Sequence, residues 1–549
     1  MCILLLVVTV PALPVQGEGG APPSDLSAAA IPPPQGPSDP AEVEAFLDSV
    51  MPAALARYNA PGSTVAVVRD GTLVIAKGYG FADLANRTPV DPDATLFHIG
   101  STTKLFTWTA VMQLVEEGKI DLDADVNTYL KEMKIPDTYP GRPVTMRHLL
   151  THTAGFEDTF RHISVPDVSE IIPFREAAAG NIPARVAPPG TLASYSNYGT
   201  TLAGVVVEDV SGMPFEQYLQ RRIFGPLGMA NTSIREDLPA DLASRLSKGY
   251  SFENSRNLAI QDTIYLIGPA GTISATAPDM ARFMLAHLQN GTFGNATILR
   301  PGTAAEMHAR AFTVDPRVAG MCLGFYEQYY NGRRAIAHGG DTNTFHSLLL
   351  LLPDEETGFF VSSNSAGGRG VRDALFTSFM DHYYPAASPT LGAPNPANAS
   401  RLQQYAGSYV MNRRNYATFQ AYIVPASRTE VTATGDGTLM VADDKGEEEY
   451  IETAHSVFSR ADGTRPASGD LVFHAAPDGA VDYLAYSNVP VLVYERASWD
   501  SSADLRGAVL AGAEILLATV LLWPLLAAFR RANGIPAPEQ PRTARLARW

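Results

Sequence analysis

In the stretch FHIGSTTKLFTWTAVMQLVEEG, residues 97–118, a lysine follows a serine by three positions, just where an amphipathic helix begins. Residues three apart share a helix face, so the Ser101 hydroxyl and the Lys104 amine can meet one turn apart. A helix N-terminus also favours a developing anion. A serine hydroxyl is a poor nucleophile until a base takes its proton, and a lysine in a partly apolar pocket can be that base. Serine is equally a favoured helix cap and lysine is common on helices, so the pair alone leaves both readings open. A second set, Tyr195 and Asn197, lies in TLASYSNYG. A phenol beside a lysine can share a proton relay, and an amide can orient a substrate carbonyl or the lysine. The third set is His338, Gly339, Gly340 and Asp341 in IAHGGDTNTF. Two glycines let a substrate backbone lie along a strand edge, and the N–H just after them can donate to an oxyanion. A polar turn and a glycine-rich hairpin are the plain alternatives for these two sets.

The elements that must position these residues follow from periodicity. Residues 41–384 read as one large unit: a helix in AEVEAFLDSVMPAALARYN, then two strands around the turn Asp70-Gly71. Helices and loops dominate to about residue 310. Strand-like runs return at 321–330, 333–338, 345–352 and 357–364, and 371–384 reads as a closing helix. Strands at both ends with helices between predict an α/β (α+β) fold. Its antiparallel sheet is built from both ends of the domain, with helices on both faces and an inserted helical subdomain. Residues 385–400 have linker composition, and 401–497 show short alternating runs expected of a small antiparallel barrel.

Order and spacing say more than each set alone. Ser-x-x-Lys on a helix after the first strand pair, Tyr-x-Asn about a hundred residues on, and a Gly-Gly strand near the sheet's end resemble the penicillin-recognising serine hydrolases. The branch is that of class C β-lactamases, D,D-peptidases, D-aminopeptidases and family VIII esterases. VTMRHLLTHTAGF, YSNYGTTLAGVVVEDVSGMPFEQYLQRRIFGPLGM and GPAGTISATAPDMARFM carry the same resemblance, which covers about 41–384. It implies Ser101 as nucleophile, Lys104 and Tyr195 as the acid/base pair, and Asn197 as orienter. The N–H groups of Ser101 and Asp341 would form the oxyanion hole. His338-Gly339-Gly340 stands where many members have Lys-Thr-Gly. Residues 401–497, opening YAGSYV, resemble the lipocalin-like domain appended to some of these hydrolases.

Position 338 bears on substrate. A fixed lysine charge would suit a carboxylate, whereas histidine is mostly neutral at pH 7. Asp341 would repel an anion if its side chain faced the cleft. An ester, amide or peptide substrate is therefore expected ahead of efficient β-lactam hydrolysis. D,D-carboxypeptidase, D-aminopeptidase or weak β-lactamase activity is the alternative, and an inactive penicillin-binding-like sensor the second. A Ser-His-Asp hydrolase would show Gly-x-Ser-x-Gly, which no serine here has. His148 and His152 are four apart, but Leu149 stands where a zincin has Glu, so no metal is assigned. No cofactor is implied.

The chain has 549 residues and a net charge of −16, which argues against nucleic acid as a partner. MCILLLVVTVPALPVQG, residues 1–17, resembles a secretory signal peptide, followed by a Pro/Ala-rich linker to residue 40. Residues 508–529 are apolar apart from Glu514 and long enough to cross ~30 Å of hydrocarbon. The tail 530–549 is basic, so an exported, membrane-anchored protein with a cytoplasmic C-terminus is expected. Nothing in the sequence sets an oligomeric state.

Overall fold

Segments from both ends of the 41–384 region meet in one seven-stranded antiparallel sheet. The structure is a computed structural model that describes residues 36–536, apart from 160, 162, 387–390, 424–425, 445 and 499–502. The expected signal segment and most of the basic tail lie outside these residues. The N-terminal part supplies β1 (Gly62–Arg69), β2 (Thr72–Asp83) and β3 (Thr88–Pro89). The C-terminal part supplies β4 (Tyr326–Tyr330), β5 (Arg333–Asp341), β6 (His346–Leu352) and β7 (Thr357–Ser363). Their order is β4-β5-β6-β7-β1-β2-β3, so β7 on β1 stitches the two ends together, with Val65 opposite Val361.

Side chains alternate across a strand, and β1 uses both faces. Val65 and Val67 join an apolar cluster with residues of α1 (Pro40–Arg57) and α5 (Gly368–Tyr383). Ala66 and Val68 join another with residues of α2 (Lys104–Glu116), α3 (Asn197–Ser211) and α4 (Ala277–Leu288). Helical layers on both faces explain why β6 and β7 are buried along their whole length. Strand β5 runs through Asp341, three residues beyond the expected end at 338.

Eight strands from Gly407–Met411 to Tyr494–Arg496 close into a barrel, with Tyr409 opposite Arg496. Tyr405, Phe458 and Phe473 pack in its interior, with ring centroids 4.7–5.5 Å apart. The barrel's apolar core is continuous with the cluster under α1 and α5, and one compact unit runs through to Arg496. Among the described residues the remaining unit holds one helix, Ala503–Ala532, whose 26-residue stretch Gly507–Ala532 is long and apolar enough to cross a membrane. It exposes Leu516, Leu517, Leu521, Trp523 and Leu525, and Arg530 and Arg531 sit in its last turn.

Two glycines set how closely β5 approaches the serine turn. A Cβ on Gly340 would lie 1.9 Å from the Ile99 carbonyl oxygen and 2.4 Å from Ser347 Oγ. Gly100 has φ +52°, and a Cβ there would lie 2.8 Å from the Asp341 nitrogen. Ser347 Oγ donates to the Ile99 carbonyl at 2.7 Å, and Thr102 Oγ1 donates to the His338 carbonyl at 3.2 Å. Backbone is thus pressed on backbone, and a shift of the Ser347 hydroxyl alone would not relieve the contact with the Ile99 carbonyl. Gly340→Ala should therefore destabilise the fold by about 3 kcal/mol or more. Gly302→Ala, on a helix with open space around the added methyl, should be neutral or stabilising by about 0.5–1 kcal/mol. Melting temperatures of the two variants check this, and equal shifts would contradict it.

Candidate active site

Gly100–Thr103 form a 3₁₀ turn that runs directly into α2 at Lys104. Ser101 is therefore not a side-chain cap: the turn begins at Ile99, with no side-chain capping bond. The tighter turn still places serine and lysine one above the other, with Lys104 Nζ 3.0 Å from Ser101 Oγ. The turn is pinned by Ile99 N–H donating to the Ile273 carbonyl at 2.9 Å. The Ile273 N–H in turn donates to Thr103 Oγ1 at 3.0 Å.

Lys104 is fully buried at the start of α2. Its amine lies 2.8 Å from Asn197 Oδ1 and 2.6 Å from the Ala270 carbonyl oxygen, both acceptors only. A neutral amine has two N–H donors and one lone pair. With both donors spent on Asn197 and Ala270, the lone pair is left for the Ser101 hydroxyl. Burial, reinforced by the Arg413 cation, holds the Lys104 pKa well below the usual 10.5, and Asp158 opposes the shift only in part. Neutral lysine is therefore the form that this packing favours.

Tyr195 and Asn197 are on no loose turn. Ser196 caps α3 by accepting from the Gly199 N–H at 3.0 Å, so Asn197 is the first residue of a helix. Tyr195 stands just before that cap. Its backbone N–H donates to the Val491 carbonyl of the barrel at 2.8 Å. The Lys104 amine lies 4.8 Å from the centroid of its ring. Its hydroxyl is buried without a hydrogen-bond partner of standard geometry among the described residues. Burial raises its pKa, with Ser101 and Arg413 opposing the rise, so it carries its proton at neutral pH.

His338 is buried, and its Nδ1 donates to the Gly339 carbonyl at 2.7 Å. That bond fixes the proton on Nδ1 and leaves Nε2, which has no partner among the described residues, as a lone-pair acceptor. Burial first, then the nearby Lys104, push its pKa down to about 3. No fixed positive charge therefore stands at position 338.

Asp341 differs from expectation. Its carboxylate accepts from His346 Nδ1 at 2.5 Å and pairs with Arg372 at 3.1 Å and Arg369 at 3.2 Å. Burial would raise its pKa, but Arg372 and Arg369 outweigh that and hold it well below the carboxylate range. The expected repulsion of a substrate anion by Asp341 therefore does not hold, because two guanidinium groups neutralise it.

His148 and His152, four apart and assigned no metal, turn to separate structural tasks. His148 Nδ1 accepts from the Thr145 N–H at 3.2 Å at the start of a short helix. His152 Nδ1 accepts from the Ser196 N–H at 3.2 Å, and its ring lies 4.4 Å from that of Tyr195. His152 thus buttresses the tyrosine.

Ser101, Tyr195, Asn197, His338, Gly339 and Asp341 line one cleft of about 700 Å³. Lys104 lies buried beneath Ser101. Gly340 is the close contact behind the turn. Several residues that shape the site were not read from the sequence. The Ala270 carbonyl lies in the quoted GPAG stretch, but which atom it would offer is a matter of tertiary fold. Arg369 and Arg372 come from α5, and Arg413 from the barrel, with no local pattern to mark them.

The Beta-lactamase family model matches residues 47–378, more than half of the chain. Protein flp of Staphylococcus aureus strain MRSA252 is 23% identical over 329 residues, 58% of this chain and 62% of the relative. The chain thus spans about three-fifths of that relative's length. Among solved structures, SurE superposes with a TM-score of 0.60 at 23% identity, over 83% of this chain and 99% of SurE. The octameric penicillin-binding protein homologue from Pyrococcus abyssi gives 0.54 at 22% identity, over 83% of this chain and 99% of that one. Fold, site geometry and family match agree, and the chain belongs to the β-lactamase family.

Proposed function

We propose that this protein is a serine hydrolase that works through an acyl-enzyme on Ser101. The observation that carries the reading is the buried Lys104 amine, whose two donors are spent and whose remaining contact is Ser101 Oγ. As Oγ bonds to the substrate carbonyl carbon, its proton passes to Lys104 Nζ. The carbonyl oxygen, now negative, is received in this reading by the N–H groups of Ser101 and Asp341, whose segments run so close that a Cβ on Gly100 would lie 2.8 Å from the Asp341 nitrogen. As the bond to the leaving group breaks, Tyr195 donates its proton to that group and is replenished from Lys104. Water then repeats the sequence in reverse and releases the acid.

Short fluorophosphonates should label one serine, and Ser101→Ala should abolish the label in peptide mass spectrometry. Lys104→Ala and Tyr195→Phe should each slow acylation by about 100-fold or more. An unlabelled wild-type protein would favour a binding module that kept the cleft and lost the chemistry.

The substrate reading is an ester, amide or peptide, because the neutral His338 provides no fixed partner for a carboxylate. A specific observation also supports the second reading, a D,D-carboxypeptidase, D-aminopeptidase or weak β-lactamase. The cleft is lined by Arg57, Arg369, Arg372, Arg413 and Arg465 against Asp341 and Asp373. In a chain of net charge −16, that is a local positive excess. Short-chain p-nitrophenyl esters should give a higher kcat/KM than nitrocefin, and His338→Lys should shift the ratio toward nitrocefin by installing a fixed charge. A wild-type preference for nitrocefin over every ester would select the second reading.

We read the helix Ala503–Ala532 as a membrane anchor with the hydrolase and barrel outside. Its apolar length and the arginines at its end support this. One carboxylate, Glu514, costs about 2.5–3.5 kcal/mol at mid-membrane and less toward an end, which its apolar neighbours outweigh. In spheroplasts, added protease should cut the large domain and spare a C-terminal tag. A protein fully soluble after cell breakage would contradict the anchor.

A further inference from the structure

Barrel residues 412–417 are fastened to the wall that carries Tyr195. Asn412 Nδ2 donates to the Ala193 carbonyl at 2.8 Å, while its Oδ1 accepts from the Val493 N–H at 3.1 Å. The Asp158 N–H donates to the Arg414 carbonyl at 3.0 Å. Glu157 Oε2 accepts from the backbone N–H groups of Tyr416 at 2.7 Å and Ala417 at 2.8 Å. Between these fastenings Arg413 turns inward. Its guanidinium carbon lies 4.8 Å from the Tyr195 ring centroid, and its Nε lies 2.9 Å from Asp158 Oδ2. Its side chain is only 7% exposed. The Lys104 amine is the same 4.8 Å from that centroid, so the two basic groups are within about 10 Å of each other.

We propose that Arg413 is a positioning residue supplied by the barrel, whose charge, held against Tyr195, adds to burial in keeping the Lys104 amine in its neutral, proton-accepting form. The inference rests on Lys104 acting as the base for Ser101. The charged or titratable groups around that amine are Arg413, Asp158, His152, His338 and Tyr195. Burial keeps both histidines neutral and Tyr195 protonated at neutral pH. Arg413 and Asp158 are left as the standing charges, and they act on Lys104 with opposite signs. A second cation raises the energy of protonated lysine, so Arg413 extends the range of pH over which Lys104 can accept the serine proton. Asp158 anchors the guanidinium and tempers its field. The barrel thus belongs to the catalytic machinery through one side chain.

The test is the pH dependence of the rate at which a fluorophosphonate phosphonylates Ser101, with loss of fluoride, in the full-length chain. Arg413→Gln should move the acid limb of the rate to higher pH by about one unit, the Coulomb effect of one charge at that separation. Arg413→Lys should restore the limb toward wild type. Asp158→Asn should move it the other way, to lower pH. Structural damage would lower the plateau rate without moving the limb in opposite directions, and melting curves identify a variant that does not fold. A limb that stays in place in both Arg413→Gln and Asp158→Asn, with wild-type Ser101 labelled normally, overturns the role of Arg413 alone. A wild-type protein that is not labelled overturns the hydrolase reading, and this inference with it.

Discussion

A primary amine shut away from water needs a place for each hydrogen, and in this protein Lys104 finds two: Asn197 Oδ1 and the Ala270 carbonyl. A protonated lysine could hand its third hydrogen to Ser101 Oγ, but it would stand buried and face the Arg413 cation, with Asp158 opposing that charge only in part. Desolvation of an unpaired charge costs several kcal/mol, so the packing itself selects the neutral amine. Much of the site answers to that selection. Asn197 must begin a helix so that its amide is held rigidly, and Ser196 provides the cap that starts it. The turn at Ala270 must lie over α2, which it does by accepting from Thr107 Oγ1 at its neighbour Pro269.

The sheet and the barrel serve the same geometry from two sides. Strand β5 reaches the serine turn only because Gly340 and Gly100 let two backbones touch, and the Ser347 and Thr102 hydroxyls tie them there. From the other side, barrel backbone at Val491 accepts from Tyr195, and Asn412 bridges the barrel to Ala193. The shared apolar core beneath α1 and α5 makes the two parts one unit, so the tyrosine wall and the barrel are packed as a single body.

What the sequence made legible follows from how local each feature is. Ser101 and Lys104 are three residues apart, so helical spacing alone brings them together. The two-ended sheet was readable because β6 and β7 are apolar runs of strand length and β1 and β2 flank an Asp-Gly turn. The barrel was readable from short alternating runs between turns. Three features were not local. The 3₁₀ geometry at Ser101 depends on Ile99 bonding Ile273 across the domain. The fate of the Asp341 charge depends on Arg369 and Arg372, which lie on the far side of two strands in sequence. Arg413 comes from a separate segment with no pattern that points to a cleft. The conditional expectation that Asp341 would repel anions if it faced the cleft took a single charge without Arg369 and Arg372, its distant partners.

The most direct test of a neutral, serine-facing Lys104 is its own titration. Protein carrying 13C-enriched lysine, with Lys104→Arg used to assign the signal, allows the Lys104 Cε resonance to be followed against pH by NMR. Burial beside Arg413 predicts a midpoint well below the ordinary 10.5. A midpoint at or above 10.5 would mean that the amine is charged at working pH, and Lys104 could not be the base for Ser101.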